Sequence, residues 1–345
     1  MIHDSVVDAI GGTPLIRLSR VMPDVPFTLY GKMEGLNPGG SAKDRPAALM
    51  LRSAIESGEI GPATTIVESS SGNMAIGLAQ ACACLGLRLI CVIDAKTTMQ
   101  HRKLLAAYGA TVDVVETPDP DTGEFLASRL ARVKAILEQK DDAFWPNQYA
   151  NPENARAHRQ TAREIFSATG VDYLFCATST CGTLRGCSDY LAETDTPTEL
   201  VAVDAVGSVI FGGVIETRLV PGHGATMRPP LADGARVGRV IHVSDLDCVV
   251  GCRRLARREG ILAGGSAGGV LGAIERMRGS IPDDAVCVAI LADSGERYVD
   301  TIYSDAWVAE HFGDVARLWV DATDDRHGKH AAHADAARDA RLSHT

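Results

Sequence analysis

Lys43 stands in "NPGGSAKDRPA" (residues 37–47), between a run of turn formers and an apolar segment of helical spacing, "AALMLRSAIES". A lysine amine becomes a nucleophile and a base once its surroundings favour the neutral form. Alone, a lysine is more simply a surface charge, so its company decides. Three other turns supply that company. "ESSSGNMAIGLA" (68–79) follows "TTIV" and opens a helix, so Ser70, Ser71, Gly72 and Asn73 offer hydroxyls and backbone N–H groups to a carboxylate or phosphate. Ordinary N-capping by Ser and Asn would account for part of that run. "ATSTCGTLRG" (177–186) follows "DYLFC", and its small and hydroxylated residues from Thr178 to Thr183 form a phosphate cup without the lysine of a nucleotide-binding P-loop. "AGGSAGGVLGA" (263–273) carries Gly264, Ser266 and Gly268 in the spacing of a nucleophile elbow. That raises a hydrolase alternative in which Asp293 and His311 complete a triad with Ser266. A fourth polar cluster, "LADSGERY" (291–298), ends another strand and would by itself be a helix cap with solvated charge.

The elements that must position these turns alternate in type. "TTIVES", "LRLICVID" and "TVDVVE" are short β-branched runs, each followed by a longer helical segment, and a second such series runs from "NARAHRQTAREIFSATG" to "AVCVAILAD". This alternation predicts an α/β fold with mostly parallel sheets flanked by helices. The junction "DDAFWPNQYANPEN", rich in Asp, Asn and Pro, predicts two lobes with a cleft between them. Ligands of such sheets bind at the carboxyl ends of the strands, where all four turns fall.

Bulk properties narrow the function classes. At 345 residues, two lobes are the natural expectation. A net charge of −10 disfavours nucleic acid as a partner. "CRRLARREG" is expected to be a solvated helix face. No basic leader followed by an apolar run opens the chain, and no apolar stretch approaches the roughly 20 residues of a membrane span, so a cytoplasmic location without membrane contact is expected. Nine cysteines without a C-x-x-C pair predict buried reduced thiols rather than disulfides or a metal site. The tail 326–345 lacks an apolar face and is expected to be disordered, its irregular histidines no metal site.

A lysine beside a phosphate cup, a carboxylate cradle and a hydroxyl able to meet a ring nitrogen is the set that pyridoxal phosphate requires. In that company "NPGGSAKDRPA", "GGTPLIRL", "SSSGNMAIGLA", "NQYANPEN", "GGSAGGVLGA" and "SGERY" resemble, in order and spacing, the fold-type II pyridoxal phosphate enzymes of the cysteine synthase and cystathionine β-synthase group. The resemblance covers nearly the whole chain to about residue 310. It implies the two-lobed architecture typified by the tryptophan synthase β chain, with residues 1–40 and 150–325 in a larger cofactor-binding lobe and 41–149 in a smaller mobile one. It also implies a homodimer. Lys43 would hold the cofactor as a Schiff base, Asn73 would bond its ring oxygen, and Ser266 would meet its ring nitrogen. Ser179, Thr180, Cys181, Gly182 and Thr183 would hold its phosphate, with Cys181 contributing packing rather than nucleophilic chemistry. Ser70, Ser71, Gly72, Gln148, Tyr149 and Ser179 would bind the amino-acid substrate. A neutral serine opposite the ring nitrogen suits loss of a β-substituent, so the implied reaction is β-replacement.

Two departures from the family pattern sharpen the substrate. The cup reads "STCGT" where cysteine synthases usually carry "GTGGT", and Tyr149 follows Gln148 where they carry Phe. These added hydroxyls suit a second substrate that is hydrogen-bonded rather than a small sulfide. "DDAFWPNQYAN", "VAVDAVGSVIFGG" and "LVPGHGAT" are similar to a narrower branch, the N-(2-amino-2-carboxyethyl)-L-glutamate synthases, which join O-phospho-L-serine and L-glutamate on the way to 2,3-diaminopropionate for siderophores or peptide antibiotics. Cysteine or cystathionine synthesis from O-acetylserine, O-phosphoserine or serine is the alternative within the group. A phosphate leaving group and a dicarboxylate call for cations. Arg129, Arg185 and Arg218 are the candidates, with Arg129 preferred.

Overall fold

A computed structural model describes residues 2–120 and 123–320. The tail 326–345, expected to be disordered, lies outside the described residues. In chain order the strands are β1 (Leu15–Arg17), β2 (Thr28–Met33), β3 (Thr65–Ser69), β4 (Arg88–Asp94), β5 (Thr111–Val115), β6 (Ala143–Phe144), β7 (Tyr173–Ala177), β8 (Glu199–Ala205), β9 (Arg239–Val243) and β10 (Val286–Leu291). The helices are α1 (Asp44–Glu56), α2 (Asn73–Leu85), α3 (Met99–Ala107), α4 (Phe125–Gln139), α5 (Pro152–Ala168), α6 (Gly182–Glu193), α7 (Asp245–Arg254), α8 (Gly265–Met277) and α9 (Asp305–Phe312).

The strands form two sheets. One has six strands in the order β1-β2-β10-β7-β8-β9, parallel except for β1, which pairs antiparallel with β2. The other has four parallel strands in the order β5-β4-β3-β6. Parallel strands are covered by helices on both faces, which is why "TIVES" of β3 is buried at every position. Each side chain such as Ile66 or Val67, wholly withdrawn from water, contributes roughly 1.5–3 kcal/mol. α5 begins where the junction sequence dictates, with the Asn151 side chain accepting from the Glu153 N–H at 2.9 Å and Pro152 at the first helical position.

The basic stretch 252–260 departs from its expected solvated face. Arg253 is buried, donates to the Ile302 carbonyl at 2.7 Å and lies over the rings of Tyr303 and Trp319. Among the described residues all nine cysteines are free, and only Cys84 is exposed. Among them, too, no helix is long and apolar enough to cross a membrane.

Candidate active site

The Lys43 turn is held by the chain that leaves β10. Ala42 N–H donates to the Ala292 carbonyl at 2.7 Å, Ser294 N–H to the Gly40 carbonyl at 3.1 Å, and Ser41 bridges antiparallel to Asp293. Two glycines make this possible. Gly40 has φ +84°, and Gly39 brings its N–H to 2.5 Å from the Asp44 carboxylate, space that a Cβ there would fill. Lys43 therefore caps α1 at a fixed point, while its Nζ has no hydrogen bond or ion pair among the described residues. Burial lowers its pKa, opposed by the carboxylates of Asp293, Asp44 and Glu34. The outcome is an amine closer to its reactive neutral form.

Lys43 shares one cavity with Ala177 to Thr183, Gly222, Ser266, Ile290 and Ala292. The cup lies between the end of β7 and the first turn of α6, whose N–H groups and dipole favour an anion. Cys181 adopts the left-handed conformation, φ +63°, immediately before the helix. Its thiol is pushed up to about 12 by burial and stays protonated at neutral pH. The hydroxyls of the cup are braced from behind. Asn154 donates to Thr180 Oγ1 at 3.3 Å, and Thr183 Oγ1 lies 3.3 Å from His158 Nε2. Burial keeps His158 neutral, reinforced by the charges of Lys43 and Arg45. Ser266 enters the same cavity from the first turn of α8. An unpaired amine, an anion-binding helix start and a neutral hydroxyl converge here from three distant parts of the chain. Those donors fit pyridoxal phosphate: Lys43 for its aldehyde carbon, the Ser179–Thr183 cup for its phosphate, Ser266 for its ring nitrogen.

The second set of expected residues gathers at the end of β3. Ser70 Oγ accepts from Gly72 N–H at 3.4 Å and Ala75 N–H at 3.2 Å, so the capping explanation holds for this hydroxyl, whose own proton is free to be donated. Ser71 Oγ accepts from Arg129 at 3.1 Å, and Arg129 also pairs with Asp94 at 3.3 Å. Gln148 is fixed through its Nε2 to the Ser69 carbonyl at 3.2 Å and its N–H to Glu68 at 3.2 Å. Burial raises the Tyr149 pKa, with Arg129 opposing. The structure thus brings Ser70, Ser71, Gly72, Gln148, Tyr149 and Arg129 into one neighbourhood beside, rather than inside, the Lys43 cavity. Arg185 is paired with Asp189 at 2.7 Å, and Arg218 donates to the Gly207 carbonyl at 2.6 Å; neither lines that cavity. The triad of the hydrolase alternative does not assemble. Asp293 is bonded to Asn73 and Tyr298, while His311 is exposed and stacked on Trp307.

Three site-shaping residues escaped the sequence reading. Glu68, inside the quoted "ESSSG", accepts from Trp145 Nε1 at 3.1 Å and the Gln148 N–H, and burial pushes its pKa up to about 7. His158 and Asn154 lie on α5 behind the cup; only the placement of Asn154 in "NQYANPEN" hinted at a role. Asp293 appeared in the sequence only as a triad member, yet it is buried beside Lys43 with its Oδ1 lacking any partner.

Comparison with known proteins identifies the family and its cofactor. Residues 6–293 match the model of the family described as pyridoxal-phosphate dependent enzyme. The fold is similar to that of O-acetylserine dependent cystathionine β-synthase from Helicobacter pylori, with a TM-score of 0.81 and 28% identity over 88% of this chain and 100% of that one. O-ureido-L-serine synthase gives 0.82 and 30%, over 90% and 100% of the two chains. Cysteine synthase from Entamoeba histolytica gives 0.82 and 29%, over 88% and 91%. The chain belongs to the pyridoxal-phosphate dependent enzyme family, as a fold-type II member of cysteine synthase and cystathionine β-synthase type.

Proposed function

We propose that the protein joins O-phospho-L-serine and L-glutamate to give N-(2-amino-2-carboxyethyl)-L-glutamate and phosphate, a step toward L-2,3-diaminopropionate. The donor's Cβ–O bond breaks with its electron pair leaving on phosphate. The Cβ–N bond forms from the glutamate amine, which gives up a proton. Pyridoxal phosphate, when bound, supplies the aldehyde and the electron-withdrawing ring that make the α-proton removable and the β-substituent able to leave. Lys43 anchors the cofactor and moves the α-proton, and its lowered pKa suits that task. Asn73 bonds the ring oxygen. Ser70, Ser71 and Gly72 receive the substrate carboxylate, and Gln148 and Tyr149 line the path of the incoming amine. The smaller lobe, 41–149, closes over the larger, in a cytoplasmic homodimer.

Arg129 carries the choice of donor. Its guanidinium is tied to Ser71 and Asp94, while its Nε is buried without a partner. A buried donor of this kind is completed by an anionic acceptor, and the phosphate of phosphoserine is one. Incubation with O-phospho-L-serine and either L-glutamate or sulfide, read by product mass, tests the reaction. The expected product appears with glutamate, with one phosphate released for each; cysteine from sulfide alone would replace this reading by cysteine synthesis, the activity named for the Entamoeba relative. Arg129→Gln is expected to raise KM for phosphoserine about tenfold or more, the loss of one charged hydrogen bond. KM for O-acetylserine should change far less; an equal rise for both donors would remove Arg129 from phosphate recognition.

A further inference from the structure

The "SGERY" cluster is not accounted for by the reaction just described, and its arginine reaches the residue expected to touch the cofactor ring. Arg297 Nη1 donates to Asn73 Oδ1, and its Nη2 donates to the Gly39 carbonyl at 2.5 Å. Asn73 Nδ2 donates to Asp293 Oδ2 at 2.8 Å, and Tyr298 Oη donates to the same oxygen at 2.6 Å. Arg297 has only donors to offer, so it can meet only the oxygen of the Asn73 amide. Asp293 Oδ2 already accepts two hydrogen bonds, so any proton that Asp293 takes up goes to Oδ1. Either way Oδ2 can meet only the amide nitrogen.

We propose that Arg297 is a positioning residue that, with Asp293, locks the Asn73 amide so that its second N–H faces the cofactor ring oxygen. An amide held at one end alone keeps that end in place but is free to swing about it, whereas one held at both ends has a fixed plane. With Arg297 absent, Asp293 Oδ2 still selects the amide nitrogen, but the carbonyl end has lost its partner, so the amide swings about that one contact and its second N–H no longer stays aimed at the ring oxygen. The second bond, to Gly39, fixes Arg297 to the turn that carries Lys43. One side chain therefore sets the register between the cofactor's covalent anchor and its ring-oxygen partner, which lie on different helices. Asp293 completes the clamp from the chain that leaves β10. The Gly264 position leaves the room that its carboxylate occupies.

The inference rests on the reading of Asn73 as the ring-oxygen partner, and the experiment separates the two. Holoenzyme spectra and cofactor dissociation constants are measured for Asn73→Ala, Arg297→Ala, Arg297→Lys and the Asn73→Ala/Arg297→Ala double variant. Asn73→Ala should shift intensity from the visible band of the lysine-bound cofactor to the near ultraviolet, and weaken cofactor binding about tenfold. An unchanged spectrum there would overturn the reading of Asn73 itself. Arg297→Ala should change the spectrum and the affinity in the same direction as Asn73→Ala, to a smaller extent, and add nothing in the double variant, the signature of one residue acting through another. Arg297→Lys, which can meet Asn73 or Gly39 but not both, should recover part of the wild-type spectrum. A wild-type spectrum for Arg297→Ala alongside an altered one for Asn73→Ala overturns the proposal, and so does a full additional change in the double variant. If Arg297→Ala does not fold, the milder Arg297→Lys and Arg297→Gln carry the same comparison, and lowered urea midpoints with unaltered spectra would reduce Arg297 to a structural clasp.

Discussion

Two lysines among the described residues turn inward, Lys32 buried and Lys43 half-buried, and they differ in what meets their amines. Lys32 on β2 is 1% exposed and donates to Glu164 and to the Thr13 carbonyl, each at 2.5 Å. Glu164 is gripped in turn by Arg45, which also binds Glu34 at 2.6 Å. That network ties β2, α1 and α5 together directly beneath the Lys43 turn. Lys43 caps the start of α1, two residues before Arg45, with no partner for Nζ among the described residues. Only the unpaired one, Lys43, is left with an amine that can form and break bonds. An inward-turned lysine is thus structural or reactive according to whether an anion has been built for it.

The largest effect that would break this comparison is the loss of Lys43. Lys43→Ala should abolish the visible cofactor band and lower turnover on the order of ten-thousand-fold. Its urea midpoint should stay level, because Lys43 Nζ makes no hydrogen bond or ion pair among the described residues for the substitution to break. Lys32→Met should do the reverse. It leaves the cofactor band in place and costs about 3 kcal/mol of stability, since Glu164 and the Thr13 carbonyl lose a buried partner. If Lys43→Ala proved the more destabilising and Lys32→Met the less, the division between structural and reactive lysine would not stand.

The sequence made one side of this comparison visible and hid the other. Lys43 was legible because its turn needs Gly39 and Gly40, and because hydroxyl-rich turns at strand ends are rare enough to be recognised together. The β3–α2 and β7–α6 turns were found for the same reason, and the alternation of β-branched runs with helical periods gave the α/β layers. Lys32 was invisible. It sits in "TLYGKM" as one polar residue in a strand, and its partner Glu164 is far away in sequence, on α5. The same distance hid the contact between Asn73 and Arg297, and the brace that His158 gives Thr183. Local spacing reports backbone geometry; it does not report which charge a folded chain will bring to another. The buried Arg253 in a basic helical stretch shows the limit, since its partners Ile302 and Asp305 come from a later turn and helix.

Two glutamates repeat the contrast with the signs reversed, and their pH dependence is a finer test. Burial would raise the Glu164 pKa, but hydrogen bonds from Arg45 and Lys32 outweigh it and hold the group at about 2. Because the folded value lies below the unfolded one, the stability that Glu164 contributes is present above about pH 4.5 and is lost as the pH falls toward 2. Glu68 has only neutral donors, Trp145 and the backbone of Ser69, Asn147 and Gln148, and burial dominates, raising it to about 7. Here the fold holds a proton that the unfolded chain has already released, so stability falls as the pH rises from about 4.5 through 7. Asp44, pushed up to about 6 by burial, and Asp293 slope in the same direction. They cancel when wild type is compared with Glu68→Gln, which cannot titrate. The difference in unfolding free energy between the two proteins should therefore change by on the order of 2–3 kcal/mol between about pH 5 and pH 8, in favour of the variant at the higher pH. Urea midpoints measured across that range read it directly. A difference independent of pH would mean that the neutral donors around Glu68 hold its carboxylate as effectively as Arg45 and Lys32 hold that of Glu164.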